Sequence, residues 1–377
     1  MRVAAHAIGL VTHAAPALHG EDKTEAYLTQ PAIMLHAARG PLSFAGMLNL
    51  EGLTLERGEL NAGVWGEGYV DRRHPHTYLH EAMLIYQPRV LSTSVSVSVG
   101  RGFAPFGTDD PMARGFVKYP TNHHLAQILE RLIVMGAARR GALVVEAGLF
   151  NGDEPLSADD VGRVDRFGDS WSARATLLPA SWLELQASYA DVTSPEQPFG
   201  GGLDHKMWHA SGRLNRATAR NSFYALLEVG RTGEFSGEIE AFHFHTVLAE
   251  AVLRTGHWRA GARFERSDRP EEERLIDLFR SVRPATDNSI LGTTRWTSLT
   301  AQLSRTVALG ALRAEPLLEV SHLHARANQQ PAVLDPKALY GSANLWSLSL
   351  GMRTTIGRWH TRMGRYGFAL PPEQALN

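Results

Sequence analysis

Residues Ser94-Val95-Ser96-Val97-Ser98-Val99 set a small hydroxyl side chain and a β-branched apolar one in strict alternation, and the same period of two returns along most of the chain. In Trp258-Arg259-Ala260-Gly261-Ala262-Arg263-Phe264-Glu265 the apolar set is Trp258, Ala260, Ala262 and Phe264, against Arg259, Arg263 and Glu265. Trp346, Leu348, Leu350 and Met352 alternate in the same way with Ser347, Ser349, Gly351 and Arg353. Successive side chains of a strand point to opposite faces, so a succession of such segments describes one continuous sheet with an oily face and a charged face. A transmembrane β-barrel satisfies that sheet, because lipid wets its outside and water its inside. The fold expected is all-β: a closed antiparallel transmembrane barrel of about 16 strands, within about two either way.

Composition is compatible with this and excludes several alternatives. A chain of 377 residues would ordinarily suggest two soluble domains, but one large barrel uses the same length, so 1–377 is read as a single domain. Charged residues make up 20% and the formal net charge is -1, which gives neither the basic footprint of a nucleic-acid binder nor a disordered acidic chain. The chain has no cysteine, which removes disulfides, thiolate metal sites and cysteine nucleophiles together. A mean hydropathy of -0.20 and the lack of a long apolar run argue against transmembrane helices. At the N-terminus, Met1-Arg2 followed by Val3 to Leu18 has the basic start and Ala-x-Ala spacings of a short signal peptide. His6 and His13 interrupt its apolar core, and Val3 to Thr12 reads better as the first strand, with the export signal absent from this chain.

Alternating segments are expected near 3–14, 25–38, 42–54, 76–88, 90–101, 123–138, 141–150, 168–178, 181–192, 205–216, 221–231, 241–254, 257–267, 292–307, 311–325, 343–356 and 358–368. If both chain ends lie in the periplasm the count must be even, so one of these is a split strand or a loop. Pro179-Ala180, Arg139-Arg140 and Thr255-Gly256 are tight-turn candidates, whereas 55–75, 102–122, 151–167, 193–204, 268–290 and 326–342 are long and rich in Gly, Pro and Asp. Short periplasmic turns opposite long external loops are the asymmetry of this architecture. The segment Trp359 to Phe368 closes on Tyr366-Gly367-Phe368, an aromatic-x-aromatic ending that resembles the assembly signal of outer-membrane barrels, and leaves 369–377 as a tail beyond the last strand.

Of seventeen histidines, nine cluster: His74, His76 and His80; His123 and His124; His243 and His245; and His322 and His324. Side chains at i and i+2 of a strand share a face, so the last two pairs could chelate a divalent cation through imidazole. No spacing matches a zinc motif, and polar wall groups or an interfacial girdle account for most of these residues. His74, His76 and His80 remain the metal candidates. Pro75 removes a ladder donor and belongs at a strand entrance, where Asp71, Arg72 and Arg73 would anchor a loop at the barrel mouth.

Asp71-Arg72-Arg73-His74-Pro75-His76 resembles the Asp-Arg-x-His-Pro-His signature of an uncharacterised family of bacterial outer-membrane β-barrel proteins, often met near envelope metal-resistance genes. Asn122-His123-His124, Gly148 to Pro155, Arg166 to Arg174 and Ser194-Pro195-Glu196 resemble the same family, over roughly residues 20–200. Thr77 stands where the family has an acidic residue. The resemblance implies a porin-like barrel and brings no activity with it.

The wet face carries Arg39, Arg101, Arg131, Arg174, Arg213, Arg231, Arg263, Arg305 and Arg353, with Glu51, Glu130, Glu146, Glu184, Glu228, Glu265 and Glu319 among them. Opposed rows of the two signs across a lumen would make a weakly selective constriction. They could instead pair and fill the interior. The pore-lining or mouth candidates are Asp71, Arg72, Arg73, His123, His124, Arg174, Glu184, Arg263 and Glu265. The function expected is an outer-membrane channel for passive diffusion of small polar solutes or ions. The alternatives are a barrel enzyme or a closed structural barrel, with a link to metal-ion handling. No Gly-x-Ser-x-Gly elbow supports the enzyme. Outer-membrane lipid, lipopolysaccharide, the barrel-assembly machinery and small solutes or ions are the expected partners, with homo-oligomerisation left open and no nucleic acid or cofactor.

Overall fold

The computed structural model describes residues 1–16, 21–55, 60, 77–88, 93–109, 112, 114–118, 120–122, 129–155, 158–197, 200–272, 290–329, 335–358 and 362–369. The first strands are β1 (Arg2–Ala15), β2 (Lys23–Arg39), β3 (Leu42–Asn49), β4 (Leu79–Tyr86), β5 (Ser94–Phe103) and β6 (Glu130–Arg140). They are followed by β7 (Leu143–Phe150), β8 (Ser170–Ala180), β9 (Leu183–Val192), β10 (Asp204–Ala217), β11 (Asn221–Ser236) and β12 (Ile239–Thr255). The last are β13 (Trp258–Glu272), β14 (Ile290–Arg305), β15 (Val307–Leu309), β16 (Leu312–Gln329) and β17 (Asn344–Gly357). Each pairs antiparallel with its sequence neighbours, and β17 returns to β1 from Ala4 opposite Gly357 to Ala15 opposite Trp346. Both β14 and the short β15 lie on β16, either side of Thr306. They form one stave, and the barrel closes with 16 strands.

In β7, Leu143, Val145, Ala147 and Leu149 are exposed, and Val144, Glu146, Gly148 and Phe150 are buried. The sheet is therefore inverted relative to a soluble barrel, with its oil outside. Of the residues whose alternation points to lipid, Val95, Val97, Leu185, Ala260, Ala262, Leu348 and Leu350 are exposed and Leu183 half-exposed. Aromatic side chains mark both ends of the apolar band. Exposed Trp171, Trp208 and Trp346 lie at the strand ends that carry long loops, and Tyr86, Phe223 and Trp258 at the ends that carry short turns.

The short turns fall one or two residues after the places read from sequence, at Gly141-Ala142, Ser181-Trp182 and Gly256-His257. Gly141 and Gly256 take φ of 58°, a left-handed turn conformation that a side chain disfavours. Arg2 and Gly357, where the wall begins and ends, lie at this same short-turn rim.

Two expectations are corrected. Residues 358–368 are the odd segment in the count: the wall ends at Gly357, and 362–369 turn into the barrel, ending in a 3-10 turn at Gly367–Ala369. The segment 102–122 is not an external excursion either. Past the end of β5, its described residues enter the lumen, where Phe106, Met112, Phe116 and Val117 are buried. Phe106 and Tyr366 pack with Met83, Ile133, Phe150 and Met207 of the wall, and Met363 with Met34 and Met47. Part of the lumen is thus a packed core.

Candidate functional site

Nearly every wall strand carries buried polar side chains at the inward parity, and many of these meet one another and the two inward segments. Arg174 of β8 holds Glu146 of β7 with two hydrogen bonds, at 2.7 Å and 2.6 Å. Arg365 reaches the same carboxylate at 3.1 Å, and a single nitrogen of Arg362, Nη2, reaches both oxygens of Glu184 of β9 at 2.8 Å and 2.9 Å. The planar, bidentate pair of Arg174 with Glu146 is the stronger kind of charge-assisted hydrogen bond. Arg174 also donates to the Gly364 carbonyl at 2.7 Å, so the wall grips the C-terminal segment by backbone as well as side chain.

The segment 104–122 is held in the same manner. Glu228 of β11, fully buried, accepts from Thr108 at 2.8 Å, Asn122 at 2.9 Å and Arg114 at 3.2 Å. Glu319 of β16 accepts the backbone N–H groups of Val117 at 2.8 Å and Lys118 at 3.0 Å. Glu265 of β13 accepts that of Thr121 at 2.7 Å, and Arg263 donates to the Lys118 carbonyl at 2.9 Å. Inward carboxylates thus supply the acceptors that water would supply to an external loop.

Asp109 joins the two inward segments. It pairs with Arg213 of β10 and, at 3.0 Å, with Arg362. Burial pushes its carboxyl up, but Arg213 and Arg362 outweigh burial and hold it below the usual carboxylate range. A depressed carboxylate lends stability above its unfolded pKa and loses it as pH falls through its folded one. This junction therefore persists through neutral pH and is released only in stronger acid.

Beside the packed region lies a cavity of about 740 Å³, bordered by Arg2, Ser43, Gln87, Ser222, Arg313 and Gly357 and hence located at the short-turn rim. Its lining includes ten arginines and only three carboxylates, Glu81, Asp109 and Glu315. Arg114, Arg213, Arg362 and Arg365 are paired with Glu228, Asp109, Glu184 and Glu146, so the positive surplus of the vestibule rests mainly on Arg254, Arg259, Arg313 and Arg353 around Glu315.

No family model matches the chain, and no curated protein matches it. Solved structures do. The anion-selective porin from Comamonas acidovorans superposes over 94% of this chain and 98% of its own, with a TM-score of 0.58 and 12% identity. A loop L8 deletion mutant of OmpT, an outer membrane protein of Vibrio cholerae, covers 94% and 98% with a TM-score of 0.52 and 7% identity. The fold is that of the outer-membrane porins.

Within this porin fold the candidates read from sequence separate into three groups. Arg174, Glu184, Arg263 and Glu265 all turn inward and are buried, as gripping groups for the inward segments rather than water-facing pore walls. Of the wider charged row, Arg39 and Arg305 are exposed, the latter over the Trp258 ring at 5.6 Å. Asp71, Arg72, Arg73, His74, His76, His123 and His124 lie outside the described residues. His80 is buried with Nδ1 at 3.1 Å from Glu130, which also takes Arg101 at 2.6 Å. The pairs His243/His245 and His322/His324 stand on the outer face, where the His322 ring lies tilted against that of Trp346 with centroids 4.6 Å apart, as a girdle residue would.

Sequence reasoning missed the trio Glu196, His205 and Glu234, whose ligand atoms lie within 4.8 Å of one another near the long-loop rim. Its residues come from a loop and two strands, so no local spacing announces it. At the same rim, the segments Gly148 to Pro155, Arg166 to Arg174 and Ser194-Pro195-Glu196 are tied into one knot. Gly152 N–H donates to Asp169 at 3.0 Å, Glu154 N–H to the Pro195 carbonyl at 2.9 Å, and Arg166 reaches Asp169 at 2.9 Å and also pairs with Asp153. A Cβ at Gly152 would fall 2.3 Å from the Thr193 carbonyl oxygen, which leaves glycine as the residue that fits.

Proposed function

We propose that this chain is a porin-like channel of the bacterial outer membrane for passive diffusion of small polar solutes or ions, narrowed from within and favouring anions. The observation that carries the proposal is the arginine-lined vestibule of about 740 Å³ inside a lipid-facing barrel. A cleft whose lining carries a surplus of one sign of charge concentrates counter-ions, and wall charges set the selectivity of wide pores. A near-neutral chain with inward arginines and carboxylates both plentiful reads as weakly selective, but charge acts where it is placed. The anion selectivity named for the Comamonas acidovorans porin of like fold points the same way. A barrel whose lumen is closed along its whole length is the second reading, favoured by the packing of Phe106, Met363 and Tyr366 against the wall.

Reversal potentials in planar bilayers under a potassium chloride gradient test the preference. The expected sign is that of chloride permeating faster than potassium, and the preference should shrink as salt screens the arginines. A reversal potential of the opposite sign would defeat the anion reading.

A further inference from the structure

One corner of the vestibule holds a surplus of positive charge that the protein does not balance. Arg254 of β12 and Arg259 of β13 stand directly opposite one another across their hairpin, an arrangement in which like charges repel. Glu315 of β16 faces Arg353 of β17 in register, and Arg313 lies two residues before it, at the same parity. Glu315 Oε1 takes Arg259 at 3.3 Å and Arg353 at 3.4 Å, together with the Ser304 hydroxyl. Among the described residues no carboxylate pairs with Arg254 or Arg313. Four guanidiniums thus share one carboxylate, and all five side chains line the cavity.

We propose that this corner is a binding subsite for a small oxyanion of the phosphate type, carrying two or more negative charges, held by Arg254, Arg259, Arg313 and Arg353. The guanidinium fork matches the tetrahedral or planar oxygens of such an anion and has no comparable fit to chloride. A dianion also offsets most of the local surplus, which a monovalent ion does not. Lipid phosphates are not the source, because the four arginines lie inside a closed wall; the ligand arrives through water. The site rests on the channel reading in that respect, and it would retain phosphate-like solutes on their way through the pore.

Calorimetric titration of inorganic phosphate into the full chain folded in detergent, with chloride held constant, tests the site. Wild type should bind phosphate saturably. The double variant Arg254→Gln with Arg313→Gln leaves the Glu315 pairs in place and should bind about tenfold more weakly. Glu315→Gln removes the opposing carboxylate and should bind more tightly, a change of sign that a loosened wall does not produce. Absence of saturable binding, or equal affinity in the double variant, overturns the site. Chloride conductance of the same preparations separates the two readings: binding without conductance upholds the site and removes the channel, whereas conductance without binding removes the site and leaves the channel.

Discussion

A chain ending at Arg358 should conduct severalfold more than the full chain and show a weaker preference for anions. The segment 362–369 lies inside the lumen, where Met363, Arg365 and Tyr366 are buried, so its removal widens the path at the level of β5 to β9. The wall does not depend on it, because closure between β17 and β1 is complete at Gly357. Most of the carboxylates it leaves keep a partner: Glu146 retains Arg174 and Asp109 retains Arg213. Glu184 loses Arg362 and Arg365 together, and its exposed charge, with two arginines gone, should shift selectivity towards cations. Conductance unchanged by the truncation would show that this segment does not obstruct the pore.

Glu228→Ala should cost about 3–5 kcal/mol, the range for removing one partner of a buried ion pair. Glu228 is fully buried and gathers Arg114, Thr108, Asn122 and, at 3.4 Å, His209. Without it Arg114 keeps the Thr108 hydroxyl and, among the described residues, a single carboxylate, Glu250 at 3.9 Å. The loss should appear as a lower urea midpoint in detergent, read by heat-modifiable gel migration, and as higher conductance when 104–122 leave the wall. Glu228→Gln keeps the shape and should cost less. Wild-type stability in the alanine variant would show that the buried pair is not what docks the segment.

The wall was legible in the sequence because a barrel has two solvents and a strand has two faces, so each residue type reports its side. Ser94 to Val99 and Trp346 to Arg353 illustrate it: the hydroxyls and the arginine turned inward and the valines, leucines and tryptophan outward. Segments inside the lumen break that code. In 358–368 arginines occupy both parities, Arg358 and Arg362 on one and Arg365 on the other. A lipid-facing arginine at a wall strand's midplane costs about 2–4 kcal/mol, so the charge at 365 was the available sign that neither face meets lipid. The aromatic ending at Tyr366-Gly367-Phe368 masked it.

The direction of 104–122 left no such mark. A loop satisfies its backbone N–H groups equally with water outside or with Glu265 and Glu319 inside, and those acceptors sit more than a hundred residues away in the chain. For the same reason the vestibule was hidden. Arg2, Arg114, Arg254, Arg313 and Arg358 come from opposite ends of the sequence, and only the curvature of the closed sheet brings them to one cavity.

Single-channel recording of the full chain in planar bilayers, with folding verified by heat-modifiable migration, tests most directly whether a porin narrowed from within still conducts. Discrete, ohmic steps of small amplitude in potassium chloride are expected, because the inward segments leave a water-accessible vestibule and a charged, partly packed lumen. Silent bilayers containing correctly folded protein, at every voltage applied, would contradict the channel and identify the barrel as closed.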